Sequence, residues 1–109
     1  MMKETFGEYI HKLRVENGLT LTKLAAALDI DQSTLSKIEN SKRKIPKEIL
    51  PKLSAVFGID LQMLEMEFNS EKIAYILYNE NDTKTLLKLA EEKANYFRVM
   101  KIQQGIINF

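Results

Sequence analysis

The side chains best placed to do chemistry lie between residues 32 and 47, and the chemistry they offer is hydrogen bonding and charge pairing. Leu35 and Ile38 recur at helical spacing. At about 100° per residue they set a buried stripe, and with Leu35 at zero, Ser33, Lys37 and Asn40 fall at about 160°, 200° and 140°. Ser36 and Gln32 follow at about 100° and 60°, whereas Glu39, the one acid of the stretch, falls at about 40°, towards the buried side. The outward face is therefore a row of short hydrogen-bonding groups with one cation and no carboxylate. Such a face suits the major groove of duplex DNA, where Gln pairs bidentately with adenine, Lys reaches guanine O6 and N7, and Ser donates or accepts. Lys42, Arg43, Lys44 and Lys47 follow at once, cations of the kind that meet phosphates.

Other chemistries find little support. His11 is the single histidine and there is no cysteine, so no metal site or cofactor is expected, and His11 reads as a surface residue. Glu65, Glu67, Glu71, Glu91 and Glu92 sit in amphipathic patterns that simple solvation explains, no phosphate-cradling glycine loop is present, and no nucleophile stands at a base's spacing. No enzyme is expected. The 109 residues, 45% hydrophobic, can bury one core. The N-terminus lacks an apolar signal region and no run is long enough for a membrane span, so a cytoplasmic protein is expected, with no small-molecule ligand evident.

Charge is uneven beneath a net of +1. Residues 32–58 carry six basic and two acidic groups, and residues 59–82 carry one and six. A polyanion would find its partner surface near residues 32–52.

To present that face, the chain must be built from short helices. Apolar residues recur at helical spacing almost throughout and strand signals are nearly absent, so an all-α fold is expected. Phe6, Ile10 and Leu13 stripe a helix over residues 4–17, with Gly7 weakening its first turn and Gly18 at its end. Thr20 caps a helix with Leu21, Leu24, Ala25 and Leu28 inward, and after a brief link Asp31 caps the helix over 32–40. Ile45-Pro46 forces an extended link to a helix carrying Leu50, Leu53 and Phe57 inward, with Pro51 in or before its first turn, and Gly58 ends it. Asp60 is the expected N-cap of a helix over 61–68, Ser70 of one over 71–78, and Asn81 or Asp82 of one from 83 to about 101. Residues 103–109 carry no clear signal and are expected to form a packed or swapped arm.

The segment Arg14-Val15-Glu16-Asn17-Gly18-Leu19-Thr20, then Leu24-Ala25, then the unbroken string from Ile30 through Asn40, resembles the Cro/C1-type (Xre family) helix-turn-helix of phage repressors and restriction-modification controller proteins. The resemblance covers about residues 5–68. It implies a lambda-repressor-like, five-helix DNA-binding domain over residues 1–68, with residues 69–109 a C-terminal helical extension. By position it implies base contacts from Gln32, Ser33, Ser36 and Lys37. Backbone contacts would come from Thr20, Thr22, Lys23, Asn40, Lys42, Arg43, Lys44 and Lys47. Arg14 and Glu39 match a partly buried ion pair between the first and third helices, and Ala25 a small residue that lets two helices approach. Three positions depart from the pattern: Leu21 stands where relatives often carry a phosphate-contacting Gln, Asp29 at the usual turn glycine, and Ser41 where a glycine commonly follows Glu-Asn.

In the last helix Leu86, Leu89, Ala90, Ala94 and Phe97 share a stripe that needs covering. A homodimer through that stripe is expected, because one recognition helix contacts only a few base pairs. The expected function is sequence-specific regulation of transcription on a palindromic operator. The alternatives are an antitoxin whose C-terminal helices cover a toxin, and an adaptor that has kept the fold without using DNA.

Overall fold

The computed structural model describes residues 4–104, with side chains placed as far as Lys101. Among them the elements are α1 (Phe6–Glu16), α2 (Leu21–Leu28), α3 (Gln32–Glu39), a 3-10 turn (Lys47–Ile49), α4 (Leu50–Phe57), α5 (Leu61–Tyr78) and α6 (Thr83–Gln104), with no strand. None of these helices is long and apolar enough to cross a membrane. The chain divides into two compact units after Ile73, inside α5.

The first unit is organised around apolar side chains from all five of its helices. Ile10, Leu24, Leu28, Leu35, Ile38, Leu50, Leu53 and Leu64 are almost wholly withdrawn from solvent, joined by Phe6, Ala25, Ile49 and Phe68. Each large member contributes about 1.5–3 kcal/mol by leaving water. Leu13 and Phe57 are only half-buried, and of the two Phe57 packs against that core.

Short helices need defined ends, and here each end follows from a residue type. Thr5 caps α1, its hydroxyl accepting from the Glu8 amide at 3.0 Å while Glu8 accepts from the Thr5 amide at 2.8 Å. This reciprocal pair satisfies two of the donors a helix start leaves open. It also moves the start inward from residue 4. Thr20 caps α2 by accepting from Lys23, and Asp31 caps α3 by accepting from Thr34 at 2.6 Å. Asp29 closes α2 in the left-handed region at φ 57°, a conformation Asp tolerates better than most residues.

Gly7 has a use that its helix propensity hides. A Cβ built there would lie 2.0 Å from the Ile38 carbonyl oxygen. Only glycine lets α1 press its first turn against the end of α3, so a residue that costs α1 some stability fixes the packing of the neighbouring helix.

Three elements differ from the sequence expectation. Residues 61–78 form one helix, α5, instead of two. Ser70 does not cap a second helix; its hydroxyl donates to the Glu67 carbonyl three residues back, at 2.9 Å, a bond a serine can make without ending a helix. Ahead of α4, a 3-10 turn takes up residues 47–49 because Pro51, in the first helical turn, offers no amide to extend the α ladder backwards. The last helix runs on to Gln104, and Gly105 to Phe109, most of the expected arm, lie outside the described residues.

α5 also braces the N-terminus of α1. Leu64 and Phe68 face the core, the Phe68 ring meets that of Phe6 edge-on at 6.3 Å, and Glu71 accepts from the Phe6 amide at 2.8 Å. In the second unit, Asp82 caps α6 by accepting from the Thr85 amide at 3.1 Å. Along α6, Leu86 and Ala94 are half-buried, whereas Leu89 and Phe97 are 48% and 37% exposed and Ala90 is open to solvent.

Candidate nucleic-acid interface

α3 is held from three sides, and that fixes which of its residues turn outward. Leu35 and Ile38 are sunk in the core, α1 and α2 both pack against the helix, and Asp31 pins its first turn. With the inner stripe fixed, Gln32, Ser33, Lys37 and Asn40 are exposed and Ser36 is half-buried. The Asn40 amide donates to the Ser36 carbonyl at 2.8 Å, closing the helix end.

The acid of this helix is turned away from that face. Glu39 is 7% exposed, and both its oxygens are occupied from α1. Arg14 donates through Nε to Oε2 at 2.8 Å and through Nη2 to Oε1 at 3.0 Å, a bidentate fork, while its Nη1 donates to the Leu19 carbonyl at 3.0 Å. His11 Nδ1 lies 2.7 Å from Oε1. A carboxylate only accepts, so Nδ1 carries the proton of that bond, and the 3.3 Å approach of Arg14 Nη2 to the same nitrogen is a near contact. A carboxylate that would repel phosphate is thereby neutralised beneath the surface.

Asp31 is the acid nearest the front of α3. The backbone amide of Thr34, donating to it, holds its carboxyl below the usual Asp value, with smaller contributions from Arg43 and Lys37. As the cap of α3 it accepts from that amide through Oδ1.

On α2, Thr20 is exposed, and its oxygen accepts the cap bond, which leaves its hydroxyl proton available. Thr22 is exposed too, but its hydroxyl donates to Gln32 Oε1 at 2.9 Å. One hydroxyl has one proton, so Thr22 as placed has none to offer a phosphate. Lys23, Lys42, Arg43, Lys44 and Lys47 are all exposed, and none closes an ion pair with a carboxylate among the described residues. Ser41, at φ 60°, turns the chain from α3 into this basic loop. Uncompensated cations thus flank a carboxylate-free helix face, and the arrangement can donate hydrogen bonds and positive charge to a polyanion with an edge to recognise.

Two features escaped sequence reasoning. His11 stood out as the lone histidine, yet its bond to Glu39 shows only once α1 crosses α3. The bond from Thr22 to Gln32 had no sequence signal beyond two polar residues ten apart.

Comparison with known proteins bears on this geometry. A family model described as Helix-turn-helix matches residues 10–64. The control protein C.MunI of a Mycoplasma species is 38% identical over 71 residues, which cover 64% of this chain and 96% of that protein. The uncharacterized HTH-type transcriptional regulator RghRB of Bacillus subtilis is 40% identical over 60 residues, 54% of this chain and 43% of its own length. Among solved structures, the clp gene regulator ClgR from Corynebacterium glutamicum aligns over 93% of this chain and 92% of that one, with a TM-score of 0.51 at 20% identity, a likeness of fold.

Proposed function

Because the chain belongs to the Xre-type helix-turn-helix family of DNA-binding transcription regulators, we propose that it regulates transcription as a homodimer that sets two copies of α3 into successive major grooves of a roughly palindromic operator. The observation that carries this reading is the outward face of α3: Gln32, Ser33 and Lys37 are exposed while Glu39 is locked inward on Arg14 and His11.

In this reading Gln32, Ser33, Ser36 and Lys37 meet base edges. Thr20, Lys23, Asn40 and the cations at 42, 43, 44 and 47 meet phosphates and set the register. The chain acts by occupying its site, without chemistry of its own, inside the cell where duplex DNA is found. Leu86, Leu89, Ala90, Ala94 and Phe97 form the interface with the second copy. Support for that interface is the exposure of Leu89 and Phe97, large apolar side chains that water disfavours.

Hydroxyl-radical protection over the DNA upstream of the chain's own gene tests the proposal. The expected pattern is two protected patches about 34 Å, one helical turn, apart. Protection of a single patch would remove the dimer from the account, and no protection at any salt concentration would remove the operator.

A further inference from the structure

Asn17 is the one asparagine in the sequence with a glycine after it. In an open chain such a pair reacts with itself. The Gly18 nitrogen, which no neighbouring Cβ shields, gives its proton to solvent base and bonds to the Asn17 side-chain carbon Cγ. The Cγ–Nδ2 bond breaks, and Nδ2 takes a proton from water and leaves as ammonia. Water then opens the cyclic imide. Cleaving its bond to Cγ leaves aspartate at position 17, and cleaving its bond to the main-chain carbonyl carbon leaves the isomer whose main chain runs through the side chain. The sum is an amide and water giving an acid and ammonia, with no cofactor and no second protein.

The fold holds the parts of that reaction away from one another. Asn17 is the C-cap of α1 at φ −94° and ψ 7°, whereas ring closure needs its Cβ and the Gly18 nitrogen eclipsed about the Cα–C bond, a rotation far from that ψ. Asn17 Nδ2 donates to the Leu13 carbonyl at 2.7 Å, which draws the side chain back along the helix. The Gly18 amide donates to the Val15 carbonyl and the Leu19 amide to the Arg14 carbonyl, both at 3.0 Å, with Gly18 at φ 67°. These crossed bonds close a helix through a left-handed glycine. The nitrogen that must attack has its proton engaged, and the side chain it must reach is bonded elsewhere. Asn17 is exposed, so water is at hand once the clasp opens.

We propose that Asn17 is a self-modifying site whose deamidation is gated by opening of the C-terminal turn of α1, so that the fraction converted records the time that turn has spent open. Conversion also weakens what held it back. A carboxylate at position 17 has no proton for the Leu13 carbonyl and stands at the negative end of the α1 dipole. Arg14, three residues earlier, ties α1 to Leu19 and to Glu39 of α3, so the change falls beside the link that holds α3. None of this depends on what α3 binds.

The test ages the full chain in mildly alkaline buffer, folded and in guanidinium chloride, and follows the peptide that carries residue 17 by mass spectrometry. In denaturant Asn17 should convert ahead of Asn40, which closes α3 with the same side-chain bond but has Ser41, and therefore a Cβ, after it. In the folded chain Asn17 should convert at least about tenfold more slowly than in denaturant, because the bonds from Asn17 and Gly18 must open first. Hydrogen exchange at the Gly18 amide, raised by small additions of denaturant that leave the chain folded, should rise in step with conversion. Asn17→Asp, standing in for one product, should melt at a lower temperature than the unaltered chain.

Equal rates folded and denatured would overturn the gate, as would conversion that stays flat while exchange at Gly18 rises. Conversion of Asn40 ahead of Asn17 in denaturant would overturn the assignment of the site. An Asn17→Asp chain as stable as the unaltered one would overturn the claim that conversion loosens the helix end.

Discussion

At the scale of single residues, the balance of the surface turns on where one carboxylate goes. Glu39 lies on the same helix as Lys37, but its place in the helical turn directs it towards α1, where Arg14 and His11 hold it. Breaking a buried pair by removing one member costs about 3–5 kcal/mol, because the other charge is left without a partner. Glu39→Ala or Arg14→Ala should therefore lower unfolding stability by about 3 kcal/mol in urea denaturation. Lys52→Gln makes the contrast: its link to Asp29 spans 3.9 Å between exposed side chains, and such pairs contribute about 0–1 kcal/mol. The Arg14 and Glu39 pairing was legible through the family resemblance, and the wheel already put Glu39 towards the buried side. His11 was not, since the bond depends on the crossing of α1 and α3, which no local pattern encodes.

Asp31 gives a pH dependence of definite sign. Its carboxyl sits below the usual Asp value when folded, because the Thr34 amide favours the charged form. Such a group adds stability that is present above its unfolded pKa and lost as pH falls through its folded one. The start of α3 should loosen in acid, below the ordinary Asp range of about 4. Asp82 on α6 has the same sign and cause, through the Thr85 side chain and amide. In an acid titration followed by circular dichroism, Asp31→Asn should lose part of the acid-dependent change while its stability near neutrality falls only slightly.

At the scale of elements, helix ends and close approaches decide more than helix interiors do. Gly7→Ala would be a mild gain in an isolated helix. Here the added methyl meets the Ile38 carbonyl at 2.0 Å, and backbone cannot step aside as a side chain can. The expected result is a loss of about 1–3 kcal/mol and a lower melting temperature, with α3 displaced from α1. Ser41→Gly should go the other way, since Ser41 holds φ 60° and glycine removes the crowding of Cβ in that region. The gain is expected to be about 1 kcal/mol or less, offset by the lost hydroxyl contact to Thr5 at 2.6 Å.

The element map shows where local signals suffice. The caps at Thr20, Asp31 and Asp60, and the choice of Asn81 or Asp82, follow from short polar side chains ahead of apolar periodicity, and the structure uses the first three and Asp82. Ser70 met the same description and was misleading: serine serves a cap and a mid-helix back-bond equally well, and with neither glycine nor proline between residues 61 and 78 nothing obliged the helix to stop. The inner positions Leu35 and Ile38 were legible from spacing alone. The pairing of Thr22 with Gln32 was not, because it requires the angle between α2 and α3 to be known.

At the scale of the whole molecule, the uneven charge makes the proposed behaviour depend on salt. The positive stretch holds α3 and its basic loop, so binding to any duplex should weaken steeply as salt rises, through release of condensed counterions. In the proposed dimer the apolar stripe on α6 is the interface between the two copies. A charge placed on it by Leu89→Glu should shift the chain from dimer to monomer in sedimentation equilibrium, with the first unit's fold unchanged by circular dichroism. Binding to a two-fold site should weaken in step.

Lys37→Ala and Lys42→Ala, compared in a gel-shift series on the duplex protected upstream of the gene and on random duplex over a range of salt, bear most directly on the assignment of α3's outer face. The account predicts that Lys37→Ala loses about 1–3 kcal/mol of preference for the protected sequence. Lys42→Ala should weaken both duplexes alike and reduce the salt slope by about one counterion. If Lys37→Ala instead leaves affinity and selectivity intact, the outer face of α3 is not what meets the bases.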